Sequence, residues 1–228
     1  RHGGGLHVNS YNTNMSITNN MFKTNIAFNR GGGFYSYGSN VYMSVVSNIF
    51  DENTARFGGG IYVDIRNHFM VLTSCKFSKN DAPLFNGGFG GGVMVNSENN
   101  YMTISNCAFL ENTAFQGGGL YVGGNNYMMA VNLCHFTRGL AADGAGMFVN
   151  VINYDMSITA CNFTDNTANQ LGGGLSIAYN NLRVSITDCV FVGNSAVYGG
   201  GLHLNGDNYY TVVSECMFIG NSVEYDGG

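Results

Sequence analysis

Charge is scarce in this chain: Lys, Arg, Asp and Glu make up 10% of its 228 residues, and the formal net charge at pH 7 is −5. A nucleic-acid partner would ask for clustered Lys and Arg, and only nine such residues are present, none in a run. No apolar stretch reaches the length of a membrane span, and Arg1-His2-Gly3 is not the start of a signal peptide. The six cysteines and five histidines show no Cys-x-x-Cys or Cys/His spacing of a zinc site. The glycine runs lack the Asp of the calcium-binding nonapeptide and the Lys-Ser/Thr of a phosphate loop. The fourteen acids are dispersed, where a polysaccharide lyase or hydrolase needs a carboxylate cluster, so that class ranks last and neither cofactor nor metal is expected.

What is plentiful is glycine, in a regular place. Triplets begin at Gly3, Gly31, Gly58, Gly90, Gly117, Gly144 (as Gly-Ala-Gly), Gly172 and Gly199, and Gly227-Gly228 opens a ninth; the spacings are 28, 27, 32, 27, 27, 28, 27 and 28 residues. The chain is therefore eight copies of one unit. Each unit holds three short runs with apolar residues at alternate positions, separated by Gly and Asn turns, which predicts three strands and no helix.

Aligned on the triplet, the copies form columns. Leu6, Phe34, Ile61, Val93, Leu120, Met147, Leu175 and Leu202 share one; Ile17, Val45, Leu72, Ile104, Val131, Ile158, Ile186 and Val213 a second. Phe22, Phe50, Phe77, Phe109, Phe136, Phe163, Phe191 and Phe218 fill a third without exception. If one unit is one coil, like residues stack at about 4.8 Å and the solution is an all-β parallel β-helix about 38 Å tall. Residues 1–228 then form a single β-helix domain, read as a segment of a longer solenoid or fibre because both ends fall at the same phase of the repeat.

Two asparagine columns mark turns. Asn12, Asn40, Asn67, Asn99, Asn126, Asn153, Asn181 and Asn208 form one; Asn25, Asn53, Asn80, Asn112, Asn166, Asn194 and Asn221 form the other, with Gly139 in the remaining coil. Asparagine tolerates a left-handed turn and its amide can bond from coil to coil, so both are read as structural ladders. Cys75, Cys107, Cys134, Cys161, Cys189 and Cys216 also share a column. Buried reduced thiols are favoured there, with bridges such as Cys75 to Cys107 as the alternative, because parallel side chains hold Cβ atoms farther apart than a relaxed disulfide prefers.

The Gly-Gly-Gly-[Leu/Ile] and Phe-x-x-Asn repeats (Phe50 to Asn53, Phe77 to Asn80, Phe109 to Asn112, Phe163 to Asn166) resemble the GGA[ILV] and FxxN repeats of polymorphic outer membrane proteins. That resemblance implies a right-handed coil and an extracellular or cell-surface setting, as in those adhesins. No autotransporter barrel accompanies it here, so membrane insertion is not implied.

Functional candidates lie outside the core columns. By alternation, Tyr35, Tyr62, Tyr121 and Phe148 point away from the core beside the first strand, and Tyr42, Phe69, Tyr101 and Tyr210 do so before the second. These stripes are candidate lateral or sugar contacts. Glu52, Lys79, Glu111, Arg138 and Asp165 alternate in sign from coil to coil and read as a stacking register. The long third unit carries Pro83, the chain's one proline, and predicts a projecting loop. Two sequons place Asn14 and Asn162 outward on strands as candidate glycosylation sites, relevant only to a secreted eukaryotic protein. The expectation is a non-enzymatic extracellular rod, a glycoprotein if those sequons are used, that associates end to end and laterally into a fibril. The alternative is a cell-surface adhesin gripping glycan or protein.

Overall fold

A computed structural model describes residues 2–226. The chain winds into a parallel β-solenoid in which every strand pairs with its counterparts in adjacent coils. The first sheet runs from Leu6–Val8 to Leu202–Leu204, the second from Ser16–Thr18 to Val212–Ser214 and the third from Met21–Lys23 to Met217–Ile219, each with eight strands. Register follows the glycine-aligned columns: Leu6 pairs with Phe34, Ile17 with Val45 and Phe22 with Phe50.

A fourth sheet departs from the expectation of three strands per coil. Its six strands begin at Asp81–Ala82 in the third coil and end at Ser222–Asp226. The first two coils reach the same place with single bridges, Ile26 to Thr54 and Thr54 to Asp81. The sequence here is Asn-x-Ala followed by the glycine triplet, which has too few side chains to show alternation. Its small residues let backbone pack on backbone, and Ala141, Ala145, Ala168 and Ala196 form a buried cluster of their own.

One core runs the length of the coil. Phe50, Phe77, Phe109, Phe136, Phe163 and Phe191 are at most 2% exposed. Successive rings of the phenylalanine column lie 4.6 to 4.9 Å apart and within 10° of parallel. Glycine is required beside this ladder: a Cβ on Gly33 would lie 2.8 Å from the Gly60 carbonyl oxygen and 2.9 Å from Cδ1 of Phe50.

Both asparagine columns bond from coil to coil. Asn25 Nδ2 donates to Asn53 Oδ1 at 2.9 Å, Asn53 to Asn80 at 3.0 Å and Asn80 to Asn112 at 3.0 Å. At Gly139, which has no side-chain amide, the backbone N–H still donates to Asn166 Oδ1 at 2.9 Å. The left-handed conformation is not theirs. Positive φ falls on the residue before, at Glu52 (φ 56°), Lys79 (52°), Glu111 (55°), Arg138 (50°) and Asp165 (52°). The asparagine supplies bonds and its neighbour bears the strain, roughly 1–2 kcal/mol for a residue with a Cβ. The alternating charged column is thus a row of turn residues, and Arg138 meets Glu111 at 2.8 Å within it.

All six cysteines are free thiols, buried except for half-buried Cys216. Each Sγ faces a carbonyl of the coil before; Cys107, for example, lies 3.6 Å from the Leu72 oxygen. In the third coil, Leu84–Asn86 forms a single 3-10 turn after Pro83 and leaves Phe85 99% exposed, the projecting loop expected there.

Candidate functional site

The outer face of the first sheet is a trough. Its floor is the column His7, Tyr35, Tyr62, Met94, Tyr121, Phe148, Ser176 and His203, in parallel register. One wall is the column ahead of each glycine triplet, from His2, Arg30, Phe57 and Phe89 to Gln116 and Asp143. The other wall follows the strand and includes Asn9, Tyr37, Asp64 and Asn96.

This geometry corrects the expectation for the first aromatic stripe. Tyr35, Tyr62, Tyr121 and Phe148 do leave the main core, yet they are only 2 to 5% exposed. They form a second apolar cluster with Met94 and Ala178, and Phe57, Phe89 and Val151 pack against it. Phe89 lies flat on Tyr121, centroids 4.8 Å apart at 9°. Alternation gives the side of a strand a residue occupies, whereas here that side is roofed by its neighbours.

The second stripe is exposed: Tyr42 53%, Phe69 39%, Tyr101 43% and Tyr210 79%. Each sits at a left-handed corner, with φ of 58°, 55°, 58° and 54°, which turns the side chain outward. Tyr42 stacks on Phe69 at 5.0 Å and Phe69 on Tyr101 at 4.8 Å, so ring faces cover one another and solvent meets ring edges. Asn14 shares this column; it is exposed at a turn with φ 56° and does not lie on a strand. Asn162 lies on the strand Asn162–Thr164, half-buried, with Nδ2 3.1 Å from His135 Nδ1.

At the first two coils the trough opens. A cleft of about 380 Å³ is lined by His2, His7, Asn9, Arg30, Tyr35 and Tyr37. Beneath it lies a polar network centred on Asp64, 4% exposed. Tyr35 donates its hydroxyl to Asp64 Oδ2 at 2.7 Å, Arg30 Nη1 donates to the same oxygen at 3.1 Å, and Asn96 Nδ2 donates to Oδ1 at 3.0 Å. Tyr62 adds a longer contact to Oδ1 at 3.4 Å, and the Arg30 guanidinium lies 5.2 Å from the centroid of its ring. The carboxylate is satisfied on both oxygens, as a charge removed from water must be. Burial, followed by the hydrogen bond to Asp64, pushes the Tyr35 phenol up to about 12. Tyr62 is raised as well, first by burial and then by the Asp64 charge.

Sequence reasoning missed Arg30 and Asp64. They stand 34 residues apart in different columns, and only the coil brings them together. The available signal was a cation in a mixed column beside the aromatic one, and the single acid in the column Asn9, Tyr37, Asp64, Asn96, Gly123, Asn150, Ala178 and Asn205.

At the other end of the trough, Gln116 Nε2 donates to Asp143 Oδ2 at 2.9 Å, while Asp143 Oδ1 and His203 Nδ1 are buried without a hydrogen-bond partner. Burial lowers the His203 pKa. Among the described residues, no three His, Cys, Asp or Glu side chains are placed to hold a metal ion. No helix among them is long and apolar enough to cross a membrane.

No curated protein matches the sequence. Among solved structures, the chain aligns with the crystal structure of HetL, a pentapeptide repeat protein involved in heterocyst differentiation regulation from the cyanobacterium Nostoc sp. strain PCC 7120. That alignment has 10% identity over 97% of this chain and 94% of the other with a TM-score of 0.23, a likeness too low to carry an argument. The model of the right-handed beta helix region matches residues 59–223, more than half of the sequence. The coil is accordingly right-handed, and the chain belongs to the right-handed β-helix family.

Proposed function

We propose that this chain is a non-enzymatic structural rod whose coils join end to end in matching register. The observation that carries this reading is the register of the columns, kept coil after coil from Phe22 paired with Phe50 to Phe191 paired with Phe218. Val45 and Phe50, with a coil on either side, are 0% exposed, so a coil added in register buries the core positions of the one before it. A coil of matching register, from this chain or a second copy, is the surface that fits. The repeats' resemblance to those of surface-exposed proteins supports an extracellular or cell-surface place for such a rod.

Sedimentation velocity on the 228-residue chain at rising concentration tests end joining, with cryo-electron microscopy of any assembly. The expected outcome is concentration-dependent growth into filaments with a layer spacing near ~4.8 Å, abolished by Phe218→Glu. A chain that stays single at every concentration refutes joining between copies.

A second reading, lateral adhesion, is favoured by the exposed ladder of Tyr42, Phe69 and Tyr101. Because neighbouring rings cover each other's faces, the ladder offers edges, which suit an apolar protein surface better than the face of a sugar ring. Binding that survives Phe69→Ser with Tyr101→Ser would remove that reading.

A further inference from the structure

We infer that the cysteine column is a binding site for soft monovalent metal ions, Cu(I) or Ag(I), each held in line between the thiolates of two adjacent coils. The site lies inside the rod and depends neither on end joining nor on the end coils, so a chain that stays single should load in the same way. Cys75, Cys107, Cys134, Cys161 and Cys189 are at most 2% exposed, and all six thiols of the column are free. Every one repeats the same pose. Its Sγ lies 3.2 to 3.4 Å from the carbonyl oxygen two residues before it and 3.5 to 3.7 Å from a carbonyl oxygen of the preceding coil. The backbone keeps register here as well: the Ala108 N–H reaches the Cys75 oxygen at 3.0 Å, and the His135 N–H reaches the Cys107 oxygen at 2.9 Å. Adjacent sulfurs are therefore related by the coil's own rise, which the phenylalanine rings two residues on put at 4.6 to 4.9 Å.

A disulfide would need the sulfurs at about 2.05 Å. The wider spacing suits two metal–thiolate bonds of roughly 2.3 Å each, laid end to end. An ion on the line between two sulfurs takes the place of a thiol hydrogen and asks for no cavity. Thiolates select soft ions. Zinc would want four ligands around one point, and no three His, Cys, Asp or Glu side chains converge among the described residues. An ion content with two donors in line does not need them. Charge favours filling the whole ladder. The first ion displaces two thiol protons and leaves one negative charge in a dry core; each later ion binds a thiolate already formed and displaces one proton from the next thiol, a neutral exchange. Six sulfurs then hold five ions with a single residual charge. At one end of the column the Asn48 N–H donates to Cys75 Sγ at 3.4 Å, where a terminal thiolate would sit. Because the sulfurs are buried, ions enter while the coils are open, and uptake is coupled to folding.

The test refolds the reduced 228-residue chain from urea without oxygen, in the presence of Cu(I), Ag(I) or Zn(II), and removes loose ions by gel filtration. Native mass spectrometry counts the ions retained, and circular dichroism checks the sheet. The expected result is five Cu(I) or Ag(I) ions per chain, with partly filled chains scarce, and no Zn(II). X-ray absorption should find two sulfur neighbours per ion at about 2.3 Å. Removing an interior thiol opens two gaps, so Cys134→Ala and Cys161→Ala should each retain three ions, whereas Cys75→Ala should retain four. Thiols that bound ions independently would lose the same number at every position. If Cys134→Ala does not fold, Cys161→Ala against Cys75→Ala makes the same comparison. The site is refuted if the refolded chain holds neither Cu(I) nor Ag(I), if it refolds only without them, if Zn(II) is retained in equal number, or if interior and terminal variants lose the same count.

Discussion

Replacing Phe136 by alanine should cost about twice as much as the same change at Phe218, and the structure says why. Phe136 is 0% exposed, with Phe109 stacked on one face at 4.6 Å and Phe163 on the other at 4.9 Å. Truncating a buried phenylalanine costs about 3–5 kcal/mol. Two stacked neighbours, each contributing about 0.5–1.5 kcal/mol beyond area, place this site near the top of that range, at about 4–5 kcal/mol. Phe218 keeps one stacked partner, Phe191 at 4.7 Å, and is 49% exposed. Half the burial and one stack give about 2 kcal/mol. The assay is equilibrium urea unfolding followed by circular dichroism, at a concentration where sedimentation shows single chains, with ΔΔG taken from the midpoint shift and the common m value. Equal costs at the two positions, or a cost below about 1 kcal/mol at Phe136, would refute the claim that burial and stacking within the ladder set these costs.

The left-handed corners allow substitutions that stabilise. Leu133 has φ 53° and is 57% exposed, so Leu133→Asn should raise stability by about 0.5–1 kcal/mol, seen as a higher urea midpoint; a lower midpoint would count against corner strain. In the cysteine ladder, the adjacent thiol of Cys107 and then burial push Cys134 up to about 12, while Cys134 and then burial do the same for Cys161. Because these folded pKa values exceed the ordinary thiol value of 9.0, their contribution is complete below about pH 9 and is lost as pH rises toward 12. Unfolding midpoints should fall over that window, and Ellman's reagent at pH 8 should find these two thiols only after denaturant is added; immediate labelling contradicts the buried ladder. Asp64→Ala strands the Arg30 guanidinium in the trough and should cost about 3 kcal/mol, the low end for a broken buried pair because the Arg30 side chain is 34% exposed; differential scanning calorimetry reads it, and an unchanged Tm would show the network to be incidental.

The sequence carried the coil well because a column is a one-dimensional object. A phenylalanine at the same phase of every unit can only stack if the units superpose, and Phe50 through Phe191 are all buried as that requires. Other features depend on what the period does not encode. Alternation sends Tyr35 and Tyr121 to the outer side of a strand, but whether that side meets water depends on how Phe57 and Phe89 fold across it. The asparagines advertise tight turns through their chemistry, and the backbone put the left-handed residue one position earlier, on side chains as varied as Glu52 and Arg138. Strands as short as Asp81–Ala82 and Thr113–Ala114 carry no periodicity to read. The Arg30 cleft was least visible, since its members come from two walls and a floor assembled across successive coils.

The asparagine ladders also give the rod a direction. Asn12, Asn25, Asn40, Asn53, Asn80, Asn126, Asn153, Asn166 and Asn194 each send Nδ2–H to the Oδ1 of the following coil, never the reverse. In these nine pairs the Nδ2-to-Oδ1 bonds therefore run the same way along the axis, although Asn53 and Asn80 also donate Nδ2–H back to the Phe22 and Phe50 carbonyls. A cut through the asparagine columns leaves Oδ1 acceptors facing one way and Nδ2–H donors the other, while the strands present both N–H and C=O on each side. Two like surfaces would oppose oxygen to oxygen or hydrogen to hydrogen, whereas unlike surfaces continue the ladder. If copies join as proposed, this polarity makes the joining head to tail and gives the filament two chemically different tips.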